Sequence, residues 1–261
     1  VGVLRLAVDV DSAVLGMTTS LIVLLPQASD RADWGAPSPG PDGPPVLYLL
    51  HGLSDDASAW TRFTSVERYA AAAGLAVVMP EVGRSMYVDA PGGLPYFSYV
   101  ADELPELVGA AFRVSSRRAD TFVAGLSMGG YGAVKLALRR PERYAAAASL
   151  SGVLNIGVIE HGDRFTAAQL TAMFGPAASG VGTADDVREL LRTAAAAGTT
   201  LPDLYLACGT EDDLYRWNVE FTELARELGV PATTYDSPGG HSWDYWDAML
   251  AKVIDWLPTP R

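Results

Sequence analysis

The sequence predicts an α/β fold: a mostly parallel central sheet, antiparallel strands at the N-terminus and helices on both faces. Three observations predict it. Short, nearly all-apolar runs such as VLYLL, LAVVMP and TFVAGL read as strands buried on both faces. Amphipathic stretches of helical period separate them, and strands alternating with helices indicate a parallel sheet. The N-terminal region differs, because the alternating LRLAVDV followed by TTSLIVLLP is the pattern of two antiparallel strands joined at the turn DSAVLGM.

Taken in order, those two strands are followed by APSPGPDGPP, a proline- and glycine-rich loop that cannot be regular structure. VLYLLHG is the first buried strand. SVERYAAAAG is helical and stops at Gly74. LAVVMPE is a strand, and a loop rich in Gly, Tyr and Pro runs from Val82 to about Pro95. The apolar spacing of ADELPELVGAAFRV predicts a helix with Pro105 near its first turn. TFVAGLS, YAAAASLSG, DLYLACG and PATTYDS are the remaining strands. GGYGAVKLALRR, NVEFTELARELG and SWDYWDAMLAKVIDWL are the remaining helices. Residues 154–200 show no strong strand signal and read as short helices and loops, forming a cap-like insertion over the sheet's C-terminal edge. The whole chain, 1–261, is expected to form a single α/β domain.

Composition excludes several classes of function. At 261 residues the chain is long enough to bury a sizeable core. Its formal charge of −12 leaves no basic stripe to meet phosphates, and lysine occurs only at positions 135 and 252, so no nucleic-acid partner is expected. The single cysteine, Cys208, rules out an internal disulfide and, in the apolar run LYLAC, reads as a buried thiol. No apolar run approaches the ~18 residues of a membrane span, and VGVLRLAVDVDS lacks the pattern of a signal peptide. The expected location is cytoplasmic, without a membrane partner. With one cysteine and three histidines, no zinc cluster is expected.

The chemistry concentrates in GLSMGG. Glycines two residues before and two after Ser127 weaken both a strand and a helix, so local structure does not account for them. Gly125-Leu126-Ser127-Met128-Gly129 is the G-x-S-x-G nucleophile elbow, a strand-to-helix turn so tight that only small residues flank the projecting serine. The following helix aims its N–H groups at the place where negative charge develops. A serine hydroxyl needs a base. His51 precedes the serine and reads as a structural group holding its loop by hydrogen bonds, and His161 reads as a solvated loop residue in the insertion. His241, in SPGGHSWDYW, is the one that follows the last predicted strand, as the α/β-hydrolase order of serine, acid and histidine requires. The acid lies in CGTEDDLY, where spacing does not choose among Glu211, Asp212 and Asp213. For the oxyanion, Met128 supplies one backbone N–H, and Leu53, in the loop HGLSDDASAW, is the best-placed second donor, with Gly52 permitting close approach.

These pieces resemble the esterase D-type branch of the α/β-hydrolases, and within it small bacterial tributyrin esterases. The resemblance is carried by LYLLHGLSDDASAW, VVMPE, FVAGLSMGGYGAVKLAL, CGTEDDLY and GGHSWDYWD, in the family's order and over nearly the whole chain. It implies a triad of Ser127, Asp212 and His241, an oxyanion hole of the Leu53 and Met128 N–H groups, no cofactor, and a possible homo-oligomer. It also implies a serine carboxylesterase acting on short-chain, acetyl to butyryl, esters through an acyl-serine. Trp60, Tyr87, Tyr96, Phe97 and Trp243 are candidates to line the substrate pocket. The alternatives are an acyltransferase or an S-formylglutathione hydrolase-like thioesterase on the same triad, the latter disfavoured by the single cysteine. An alternative of another class is a non-catalytic binding protein on a hydrolase fold.

Overall fold

The computed structural model describes residues 2–27, 41–160, 162 and 164–259; part of the proline-rich loop, residues 36–40, lies outside them. Strands β1 (Val3–Ser12) and β2 (Met17–Pro26) form the antiparallel pair, with Val3 opposite Pro26 and Ser12 opposite Met17. β3 (Val46–Leu50), β4 (Ala76–Pro80), β5 (Thr121–Leu126), β6 (Ala146–Leu150), β7 (Asp203–Gly209) and β8 (Ala232–Ser237) run parallel to one another. The sheet order is β1-β2-β4-β3-β5-β6-β7-β8, with β2 antiparallel to β4. Each strand expected from the sequence is present.

The apolar runs fall where both faces are covered. Every residue of β3, β4, β5 and β6 is buried, whereas β1 at the edge alternates between half-buried and exposed residues, as its sequence does. One face of the sheet packs against α2 (Val66–Ala73) and α9 (Trp243–Trp256) through Val66, Ala70, Trp246, Leu250 and Val253. The other packs against α4 (Leu104–Ala111), α5 (Met128–Arg139) and α8 (Tyr215–Glu227) through Leu104, Val134, Leu138 and Phe221. Gly74 ends α2 at φ 62°, the left-handed position that costs glycine nothing.

Two local features depart from the expected boundaries. A short helix, α1 (Ala59–Phe63), follows the loop after β3. Helical backbone also begins earlier than the apolar spacing indicates: α3 (Tyr96–Ser98) passes into a π turn, Tyr99–Glu103, and only then into α4. Pro105, near the start of α4, has no N–H to donate, and the wide turn before it suits that loss.

Residues 154–200 hold a 3₁₀ turn (Ile156–Glu160), α6 (Ala167–Phe174) and α7 (Val187–Ala196). α6 is opened by a capping box between Thr166 and Gln169. The segment is tied to the loop after β4, because the Gly92 N–H donates to Ala172 O at 2.9 Å and Arg84 donates to Arg164 O at 2.6 Å. It is tied to α5 through the Tyr131 hydroxyl on Asp185 O and the Lys135 ammonium on the Asp185 carboxylate. No helix among the described residues is long and apolar enough to cross a membrane.

Candidate active site

The parallel register ends several strands along one edge. Leu50 stands opposite Gly125, Leu126 opposite Leu150, Leu150 opposite Ala207, and Gly209 opposite Ser237. The residues that follow, His51–Leu53, Ser127, Ser151, Asp212 and His241, therefore emerge from the C-terminal edge of the sheet, where ligands gather in folds of this kind.

Ser127 sits between β5 and α5 with φ 52° and ψ −116°, a strained conformation for a residue with a side chain. The surroundings enforce it. Its N–H donates to Leu150 O at 2.9 Å, and its carbonyl accepts from the Tyr131 and Val153 N–H groups at 3.1 and 3.2 Å. The two flanking glycines are in mutual contact. A Cβ on Gly125 would lie 2.4 Å from the Gly129 carbonyl carbon and oxygen, and one on Gly129 would lie 2.3 Å from Leu50 O. The glycines that local structure did not explain are thus demanded by backbone packed on backbone.

The side chains of Ser127, His241 and Asp212 meet in one line. The Ser127 hydroxyl lies 3.0 Å from His241 Nε2, and His241 Nδ1 lies 2.9 and 3.1 Å from the two Asp212 oxygens. Asp212 reaches His241 because the loops after β7 and β8 are zipped together: Thr210 N–H donates to Ser237 O, and Glu211 N–H donates to Gly239 O, both at 3.0 Å. The Asp212 side chain is fully buried while that of His241 is 34% exposed, so one end of the line is sheltered and the other is open to solvent. Burial by itself would raise the Asp212 carboxyl. Hydrogen bonds from His241, the Leu214 N–H and Ser151 outweigh it and hold the group below the ordinary carboxylate range. Glu211 is exposed and makes no such contact.

Two supports were not legible in the sequence. Trp246 meets the His241 ring edge to face at 4.8 Å and donates its indole N–H to Ser151 Oγ at 3.2 Å. Ser151 itself adopts φ 50° beside Asp212. Nothing in SLSG or DYWDAM marks either residue, because the pairing joins the ends of β6 and α9 only through the fold.

Around this line, the N–H groups of Leu53 and Met128 have no acceptor among the described residues. His51 is buried and bonded through both ring nitrogens. Cys208 is buried as well, and burial pushes its thiol up to about 12. His161 lies outside the described residues.

Of the five aromatic residues considered for a pocket wall, three turn inward. Trp60 is fully buried and donates its indole N–H to Leu50 O. Tyr87 is fully buried with its hydroxyl on His51 O, and Phe97 is buried beneath Lys135 and Arg139. A loop aromatic ring gains more by burying its face, and its polar tip is satisfied by backbone. Trp243 is half-buried, wedged among Trp60, Phe63 and Trp246. Tyr96 alone of the five borders a cavity of about 280 Å³ between the loop after β4 and α6, with Leu94, Phe165 and Met173 among its walls.

A hydroxyl bonded to an imidazole that is held in turn by a carboxylate is the arrangement that activates an oxygen nucleophile. The comparisons agree with that chemistry. A family model, Putative esterase, matches residues 12–257. The acetyl esterase of Caldicellulosiruptor saccharolyticus is 27% identical over 219 residues, 81% of this chain and 82% of that protein. Among solved structures, the substrate-bound fluorophosphonate-binding serine hydrolase F (FphF) of Staphylococcus aureus is 34% identical, with TM-score 0.91 and full coverage of both chains. The S-formylglutathione hydrolase FrmB of the same organism is also 34% identical, with TM-score 0.87, covering 99% of this chain and 100% of its own. With the α/β-hydrolase sheet order and this similarity along nearly its whole length, the chain belongs to the Putative esterase family and is an esterase of the serine-hydrolase kind.

Proposed function

We propose that the protein is a carboxylesterase for short-chain acyl esters, with Ser127 as nucleophile, His241 as base and Asp212 as the acid that orients it. The observation that carries the reading is the unbroken hydrogen-bonded line from Ser127 Oγ through His241 to the buried Asp212 carboxylate. His241 Nε2 takes the hydroxyl proton as Ser127 Oγ attacks the ester carbonyl. Asp212 accepts Nδ1–H, which fixes the tautomer and stabilises the imidazolium. The carbonyl oxygen becomes an oxyanion held by the Leu53 and Met128 N–H groups. Collapse expels the alcohol, protonated by His241, and leaves an acyl-serine. Water, deprotonated by the same imidazole, then releases the acid and restores the hydroxyl. Residues 154–200 act as the cap of this site. The name of the acetyl esterase relative supports a small acyl group.

The test is Ser127→Ala. It is expected to abolish p-nitrophenyl acetate turnover and fluorophosphonate labelling while leaving thermal melting within a few degrees of the parent chain. Full turnover by that variant would sink the assignment.

A second reading, thioester hydrolysis, is favoured by the 34% identity to an S-formylglutathione hydrolase. Comparing kcat/KM for S-formylglutathione and p-nitrophenyl acetate on the same preparation separates the two.

A further inference from the structure

The carbonyls of three successive residues, the last of β3 and the two that follow it, are all engaged. Leu50 O accepts from the Trp60 indole at 3.1 Å, His51 O accepts from the Tyr87 hydroxyl at 3.1 Å, and Gly52 O lies 2.8 Å from His51 Nδ1. The Val82 N–H points at the other ring nitrogen, His51 Nε2, at 3.1 Å. A nitrogen that accepts a hydrogen bond carries no proton, so the single ring proton sits on Nδ1 and is donated to Gly52 O. This imidazole is 1% exposed and takes no part in the line from Ser127 to Asp212.

In a trans peptide the C=O and N–H point in opposite directions. Drawing Gly52 O toward the His51 ring therefore turns the Leu53 N–H away from it. The loop is pressed against the elbow at this point: a Cβ on Gly52 would lie 2.7 Å from Leu126 Cδ1, and one on Gly129 would lie 2.7 Å from His51 O. We infer that His51 is a positioning residue for the oxyanion site. Its Nδ1–H locks the Gly52–Leu53 peptide in the orientation that offers the Leu53 N–H, and the Val82 N–H selects the tautomer able to do so. The inference rests on the proposed role of Leu53.

The two ring nitrogens make different demands, and two substitutions separate them. His51→Asn sets an amide nitrogen where Nδ1 stands and keeps the donor to Gly52 O. His51→Gln extends an amide to the position of Nε2, where it accepts from Val82, and leaves Gly52 O with only the longer bond from the Asp55 N–H, at 3.3 Å. The experiment measures kcat and KM on p-nitrophenyl acetate, inhibition by an alkyl boronic acid, and thermal melting, for both variants and the parent.

A displaced oxyanion donor costs on the order of 10²-fold in kcat. His51→Gln is expected to lose that much, with KM within about threefold and boronate affinity falling in parallel, while His51→Asn stays within about tenfold of the parent. Equal activity in the two variants, or a loss confined to KM, overturns the inference. If the Gln variant does not fold, the Asn variant decides alone: boronate affinity within tenfold of the parent supports the inference, and any larger loss overturns it. Ser127→Ala, assayed alongside, keeps the two questions apart, since turnover in that variant sinks the esterase mechanism itself.

Discussion

Gly129→Ala tests whether backbone packing, and not the pentapeptide as such, sets the geometry of the elbow. The added methyl would stand 2.3 Å from Leu50 O and 2.7 Å from His51 O. An ordinary carbon–oxygen approach is about 3.3 Å or more, so the first turn of α5 and the loop after β3 must separate by about 1 Å. Neither neighbour is a flexible side chain, because both are carbonyls held by Trp60 and Tyr87. Overpacking of this kind costs about 1–3 kcal/mol, which for a chain of this size lowers Tm by roughly 2–4 °C per kcal/mol. The same displacement moves the Leu53 and Met128 N–H groups relative to Ser127, and a misplacement of about 1 Å costs on the order of 10²-fold in rate. The assay is kcat on p-nitrophenyl acetate beside a melting curve. Gly109→Ala serves as control, since its Cβ in α4 meets nothing within 4 Å; it is expected to gain about 0.5–1 kcal/mol with unchanged activity. Turnover of Gly129→Ala within threefold of the parent and an unmoved Tm would refute the reasoning.

Asp212→Asn replaces an acceptor with an amide that is able to donate to Nδ1, favouring the wrong His241 tautomer. A loss on the order of 10⁴-fold in kcat with little change in KM is expected, and a loss below tenfold would show that the carboxylate is not needed. Asp185→Asn addresses the fully buried Lys135, whose ammonium also donates to Tyr87 O at 2.7 Å. Burial lowers this group to about 8 against the opposing pull of Asp185. Its folded value lies below that of free lysine, so the cost of burying the charge is present below pH ~8. That cost is released between about pH 8 and 10.5, where only the unfolded chain keeps the proton. Removing the Asp185 charge is expected to cost about 2–3 kcal/mol at pH 7, less than a fully buried pair, because the Asp185 side chain keeps 23% exposure. Urea midpoints should show that loss shrinking by pH 9.5, and an equal loss at both pH values would contradict it.

The strands were legible because a parallel sheet covered on both faces demands short apolar runs, and β3 to β6 supply them with Thr121 and Ser149 as the buried polar exceptions. The elbow was legible because its glycines violate helix and strand preference together. The wall aromatics were not. Trp60, Tyr87 and Phe97 have the composition expected of a cleft, yet each turns into the core, and a loop's sequence carries no period from which that turn could be read. The π turn before Pro105 escaped for a similar reason: apolar spacing at 3.6 residues does not register a single wider turn.

By itself, then, the sequence determined the order of strands and helices, the elbow at Ser127, and the one histidine late enough in the chain to serve it, because these follow from short-range periodicity and chain order. Tertiary structure alone decided which polar atoms meet. It put Trp246 against Ser151, bonded Tyr87 to His51, and brought the Val82 N–H to the His51 ring. Those contacts join residues from separate elements, and only the assembled sheet, which gathers its strand ends along one edge, brings them within hydrogen-bonding reach.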